Sequence, residues 1–156
     1  MRAPSDDIDR LMAVMDCAFD PAFGEAWTRR QVEDALLIGN CHYILIDAAG
    51  HMPPADDAPA AGFSLSRGGY EEEELLLFAV APEYRGMGLG RAMLQQLAKN
   101  ARFRNGNRLL LEMRDGNPAE QLYRSFGFTP IGRRPNYYRN AAGGQIDAIT
   151  FQCDID

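Results

Sequence analysis

The feature that most restricts the fold of this chain is a turn in which three alternate glycines join an apolar run to an amphipathic segment. It reads Val80-Ala81-Pro82-Glu83-Tyr84-Arg85-Gly86-Met87-Gly88-Leu89-Gly90-Arg91-Ala92. The run at residues 75–81 is short and nearly all apolar, the pattern of a central strand buried on both faces. Beyond the glycines, Met93, Leu94, Leu97, Ala98 and Ala101 recur at helical spacing to about Phe103. Glycine permits tight, positive-φ conformations and lets backbone N–H groups approach a ligand with no Cβ in the way. Those N–H groups add to the positive end of the following helix, which makes an anion cradle suited to phosphates. A glycine-rich connection that holds no ligand is the alternative. No Gly-Lys-Ser/Thr follows, so the turn is not a P-loop. The glycine spacing is also wrong for a dinucleotide fingerprint.

The rest of the chain reads as a mixed α/β domain. Ser5 is the expected cap of a first helix with Ile8, Leu11, Met12, Met15 and Phe19 on one side. Thr28 and Gln31 form a capping box for a second helix through Leu37. Strands are expected at residues 42–47, 61–67, 109–113, 128–133 and 148–153, with a Pro/Ala/Asp-rich loop at 48–60. Asn117 and Pro118 look like the cap and first residue of a short helix. Its 156 residues make one domain of ordinary size, 1–156.

Charge and cysteine content narrow the function classes. Sixteen basic against 22 acidic residues give a net charge of −6, which argues against a nucleic-acid binder. No apolar run approaches the ~18–20 residues of a bilayer span, and the first residues carry no signal-like apolar stretch. No membrane association and a cytoplasmic location are expected. Cys17, Cys41 and Cys153 are odd in number and widely spaced, so they read as buried free thiols. With only His42 and His51 beside them, no metal site is expected.

Several of these pieces resemble one family. Arg85-Gly86-Met87-Gly88-Leu89-Gly90 resembles the Arg/Gln-x-x-Gly-x-Gly/Ala pyrophosphate loop of the GCN5-related N-acetyltransferases (GNAT). Leu111-Glu112-Met113-Arg114, then Asn117, then Leu122-Tyr123-Arg124-Ser125-Phe126-Gly127-Phe128 resemble its second signature. Gly132-Arg133-Arg134-Pro135-Asn136-Tyr137-Tyr138, followed by Asp147-Ala148-Ile149, is similar to the RimI type, which acetylates the N-terminal alanine of a ribosomal protein. The match covers most of residues 70–151.

The resemblance implies the acyl-CoA N-acyltransferase fold: a mixed, mostly antiparallel sheet flanked by helices, with the first strand missing or vestigial. It implies acetyl-CoA as cosubstrate and direct attack by an amine in a ternary complex. Backbone groups of Phe78, Ala79 and Val80 would hold the pantetheine arm, with Asn117 a further contact. Arg85, Gly86, Met87, Gly88, Leu89, Gly90 and Arg91 would surround the pyrophosphate. Glu112 is the implied base and Tyr123 the acid that protonates the leaving thiolate. Glu74 is the second-choice base, at the place used by histone-type members. Glu72 and Glu74, on one face by strand alternation, are expected to attract the cationic amine, and Glu71 and Glu73 to be a solvated approach to the strand. Asn136, Tyr137 and Tyr138 would border the groove for the acceptor, a protein or peptide N-terminus, with a ribosomal protein among the candidates. A small amine, a lysine side chain and a non-catalytic acyl-CoA-binding module are the alternatives. The oligomeric state is not legible.

Overall fold

The computed structural model describes residues 4–155, and side chains from residue 6. Helix α1 (Pro4–Ala18) already includes Ser5 in its first turn, ahead of the expected start. A 3-10 turn (Pro21–Phe23) leads to α2 (Arg29–Leu37). The capping box forms as read: the Thr28 N–H donates to Gln31 Oε1 at 2.8 Å, and the Gln31 N–H donates to Thr28 Oγ1 at 3.2 Å. Strands β1 (Cys41–Ile46), β2 (Gly62–Gly69) and β3 (Glu72–Val80) then run antiparallel to one another. Helix α3 (Leu89–Phe103) carries the chain over to β4 (Arg108–Arg114), which lies parallel to β3. Helix α4 (Glu120–Phe126) precedes the hairpin of β5 (Thr129–Arg139) and β6 (Gln145–Asp154).

The strand order is β1-β2-β3-β4-β6-β5, and β3–β4 is the one parallel neighbour pair. A strand ahead of α1, expected to be missing or vestigial, would fall on residues 1–3, outside the described residues; in the strand order β1 is an edge of the sheet. Helices cover both faces, as expected. Leu11, Val14 and Met15 of α1 and Val32 of α2 pack with Phe63, Leu65, Leu77 and Ala79 on one side. Met93, Leu94 and Leu97 of α3 and Tyr123 of α4 pack with Leu75, Leu109, Leu111 and Phe151 on the other.

The sheet is not closed along β3. Its pairing with β4 covers only Glu72↔Arg108 through Leu75↔Leu111. Just there the β2–β3 register shifts, with Leu65 opposite Leu77 and Ser66 opposite Leu75, so Leu76 is one residue too many. A bulge of this kind bends the strand and raises its local twist. Past it, β3 and β4 are no longer paired with each other.

Several expectations need correction. Strand β3 does pack toward both faces, Leu75 with the α3 side and Leu77 and Ala79 with the α1–α2 side, but Leu76, Phe78 and Val80 are only half-buried beside the gap to β4. Glu73 is not solvated: it is 2% exposed, where Ser66 Oγ donates to its Oε2 at 2.6 Å and His42 Nδ1 and Arg104 Nη2 lie 2.9 and 3.1 Å away. Helix α4 starts two residues after Pro118, although Asn117 Oδ1 still accepts from the Ala119 N–H at 2.9 Å. The last two strands are longer than expected, since hairpin pairing continues to Arg139↔Gln145 through exposed positions with no apolar alternation. Of the three free thiols only Cys153 is buried.

The loop after β1 is organised by one buried carboxylate. Asp47 is 4% exposed and accepts from the N–H groups of Ala49, His51 and Ala55 at 3.0, 2.9 and 3.0 Å, with His51 Nδ1 3.0 Å away. The Ala55 and His51 N–H groups, with the His51 ring, hold its pKa down at about 2. A folded pKa below the unfolded one gives stability that is complete above about pH 4 and lost as the pH falls toward 2. Asp47→Asn is therefore expected to flatten the loss of stability over that window. Urea unfolding at about pH 5 and pH 2.5, with and without the substitution, measures the difference.

Candidate active site

Where β3 and β4 part, a cavity of about 330 Å³ opens through the sheet. Leu76 and Phe78 line it from β3, and Leu111 and Glu112 from β4. Tyr123 of α4 and Tyr138 of β5 close it from the C-terminal half. The strand edge facing it carries free backbone groups. The Ala81 N–H donates to Ala61 O at 2.8 Å, so in the continuing register Ala79 bonds to Phe63. Antiparallel alternation then turns the N–H and C=O of Phe78 and Val80 away from β2, toward the gap that β4 has vacated. The Val80 carbonyl already accepts from Arg85 Nε at 3.0 Å.

Glu112 reaches the cavity from a partly buried position. Thr150 Oγ1, its cross-strand neighbour, donates to Glu112 Oε2 at 3.3 Å, and Arg134 Nε forms an ion pair with the same oxygen at 3.1 Å. Tyr123 is buried at 6% exposure, and its ring meets Phe78 and Phe128 edge-on at 5.8 and 5.7 Å. Burial first, and then the negative charge of Glu25, push its phenol far above the ordinary range, so it stays protonated. Burial and the nearby Glu112 carboxylate push Tyr138 up to about 12. Two carboxylates, Glu112 and Glu25, and two neutral phenols thus share a small cavity, which puts proton acceptors beside proton donors.

The glycine turn lies at the rim. Gly86 and Gly88 both have φ of +80° and open space where a Cβ would stand. Gly90 has a different reason: its Cβ would stand 2.8 Å from Leu122 Cδ2 and 3.5 Å from the Phe78 ring. Glycine there lets α3 sit against α4 and the cavity wall. Helix α3 has no side-chain cap, and its first backbone bond runs from Ala92 to Gly88 O. The amides of Leu89, Gly90 and Arg91 precede that bond and are the donors a helix N-terminus offers an anion.

The family model for the acetyltransferase (GNAT) domain matches residues 40–130, more than half of the chain. The chain belongs to the GNAT family. It is 30% identical over 135 residues to a putative ribosomal protein bS18-alanine N-acetyltransferase of Bacillus subtilis, covering 85% of this chain and 82% of that one. It is 33% identical over 92 residues to the ribosomal protein bS18-alanine N-acetyltransferase of Haemophilus influenzae, covering 59% of this chain. That match spans 63% of the Haemophilus protein, less than two thirds of its length. The crystal structure of the ribosomal-protein-S18-alanine N-acetyltransferase from Escherichia coli superposes with a TM-score of 0.80 at 26% identity, over all of this chain and 92% of that one.

Within this GNAT fold, the residues singled out from the sequence divide into two sets. Glu112, Tyr123, Tyr138, Asn117 and Phe78 line one cavity. Glu72 and Glu74 lie outside the lining; they do share an orientation, but pair with Arg108 at 3.0 Å and Arg67 at 2.6 Å. Ala79 turns its backbone toward β2. Arg85 staples the loop, donating to Val80 O and, at 2.9 Å, to Ala18 O, while Arg91 donates to Ser125 Oγ at 2.6 Å. Met87 is exposed, and Leu89 is buried as an anchor of α3. Asn136 sits at φ +58° in a bulge, its N–H donating to Asp147 Oδ1 at 2.9 Å, and Tyr137 stacks edge-on against Tyr138 at 5.2 Å outside the lining.

Sequence reasoning missed the wall made by the α1–α2 connection. Phe19, Glu25 and Trp27 line the cavity from there, and Gln31 from the first turn of α2. Glu25 is tied down by Arg114 Nε at 3.2 Å, whose guanidinium lies 3.7 Å over the Phe23 ring. The available signal was the Asp20–Gly24 turn and the capping box, which together fix a short stiff connection. The raised phenol pKa values give a direct check. Since neither phenol ionises below about pH 11, Tyr123→Phe and Tyr138→Phe are each expected to leave the phenolate absorbance gained below that pH unchanged. A drop in that absorbance would place the missing phenol in an ordinary environment.

Proposed function

We propose that this chain is an N-acetyltransferase that moves the acetyl group of acetyl-CoA to the N-terminal α-amine of a protein. The observation that carries the reading is the parting of β3 and β4, which leaves unpaired strand groups, a carboxylate and a buried phenol around one cavity beside an uncapped helix N-terminus. The acceptor class is supported by the relatives, which are named as ribosomal protein bS18-alanine N-acetyltransferases.

The donor fits the residues present. The open N–H and C=O of Phe78 and the N–H of Val80 suit the amides of an extended pantetheine arm. The amides at the start of α3 suit its pyrophosphate, with Gly86 and Gly88 keeping Cβ atoms out of the way. Acetyl-CoA supplies the thioester carbonyl. Glu112 then receives the proton that the attacking amine must lose, and Tyr123 gives its own to the departing sulfur. An α-amine with pKa about 7.7–8.0 is neutral in roughly a tenth of molecules at pH 7, so a carboxylate is base enough. Tyr123 is suited to the donor role because burial keeps it protonated. Glu74, held by Arg67 away from the cavity, is the weaker candidate for the base.

Three experiments test the assignment. Gly88→Glu puts a bulky anion at a positive-φ position of the cradle, and calorimetry is expected to show coenzyme A affinity reduced about tenfold or more. Equal affinity would remove the phosphate site. Glu112→Gln and Tyr123→Phe are each expected to lower kcat by ~10²–10⁴-fold with coenzyme A affinity nearly intact. In thiol-release assays, peptides with a free α-amine should outpace polyamines, lysine side chains and aminoglycosides. The reverse order would move the enzyme to another acceptor class.

A further inference from the structure

The carboxylate of Glu112 is held asymmetrically, and this bears on how a base in that position works. Thr150 and Arg134 both contact Oε2, one as a hydroxyl donor at 3.3 Å and the other as a cation at 3.1 Å. They come from different strands. Thr150 faces Glu112 directly across the β4–β6 ladder. Arg134 stands on β5 opposite Ala148, the last paired residue before the ladder breaks toward Tyr138. Arg134 is itself braced: its guanidinium lies 5.1 Å over the Tyr137 ring, which packs edge-on against Tyr138 of the cavity wall. Its side chain is 62% exposed against 20% for Glu112, so it reaches the carboxylate from the solvent side.

We propose that Arg134 is a positioning residue for this reaction: with Thr150 it fixes the Glu112 carboxylate by Oε2, so that Oε1 is the oxygen that takes the amine's proton. The inference rests on the reading of Glu112 as the base. Its physical content is simple. A proton added to Oε2 would stand against a guanidinium and displace a donated hydroxyl hydrogen, whereas one added to Oε1 meets neither. The same two contacts restrict rotation of the carboxylate, and a base must be aligned as well as basic. Arg134 needs no contact with the acceptor for this. The bulge that carries residues 135–137 thereby acquires a function, since it offsets β5 so that Arg134 and Tyr138 both approach the same acid.

A double-mutant cycle separates this role from others. Arg134→Met keeps an apolar stem against Tyr137 and removes the charge. It is expected to lower kcat about 10- to 100-fold, the range for losing a contact to a charged group, with little change in the acceptor KM. Arg134→Lys should restore most of the loss. In a Glu112→Gln background Arg134→Met should have no further effect on kcat, because the carboxylate it positions is gone. Thermal unfolding should be nearly unchanged for such an exposed side chain, which keeps folding out of the comparison. The same fractional loss in both backgrounds, or a rise in acceptor KM with kcat kept, would overturn the positioning role while leaving Glu112 as the base. Near-normal turnover by Glu112→Gln alone would overturn both readings.

Discussion

The rest of the structure depends on a parallel strand pair that is allowed to run for only four residues. Strands β3 and β4 lie side by side from Glu72↔Arg108 to Leu75↔Leu111, and the extra residue Leu76 then turns β3 away. A sheet that parts in its middle leaves unsatisfied backbone groups, which cost free energy unless something else binds them. Here the cost falls where a ligand with amide groups can offset it. The cavity, the open edge at Phe78 and Val80, and the approach of Tyr123 through the gap all follow from that one bulge.

Such a gap is tolerable only if its closed end is firm. At that end Glu73 is buried among His42, Ser66 and Arg104, which come from β1, β2 and the end of α3. Glu72 pairs with Arg108 across the parallel strands themselves. A buried carboxylate is not a cheap source of stability, but removing one partner from such a cluster strands a charge, so the cluster resists rearrangement. The run of glutamates at 71–74 thus acts by turns: Glu73 fastens the sheet from one face, and Glu72 and Glu74 take arginines on the other.

The site itself mixes two kinds of part. The expected cofactor contacts are mostly backbone groups, placed by strand register and by the start of α3. The groups proposed for proton transfer are side chains delivered from β4, α4 and β5. Arg85 illustrates the division, since its guanidinium binds Val80 O and Ala18 O and so shapes the loop instead of offering a charge within it.

The amino-acid sequence by itself determined the elements and the local chemistry. Glycine spacing specified a turn that only positive φ permits, and this holds at Gly86 and Gly88. Thr28 and Gln31 capped α2 as read, and the motif residues Glu112 and Tyr123 reached one cavity. Local patterns are legible because a cap, a turn or an amphipathic face is decided within a few residues. Long-range pairing decided the rest. Glu73 and Glu74 are adjacent and chemically identical, yet strand alternation buries one and leaves the other half-exposed. Glu25 and Trp27 became cavity wall because α1 and α2 pack on one sheet face and suspend their connection over the gap. Arg134 met Glu112 through a bulge in an exposed hairpin whose register no apolar alternation encodes. Such meetings depend on how strands are ordered and offset in space, and no short stretch of the chain contains that information.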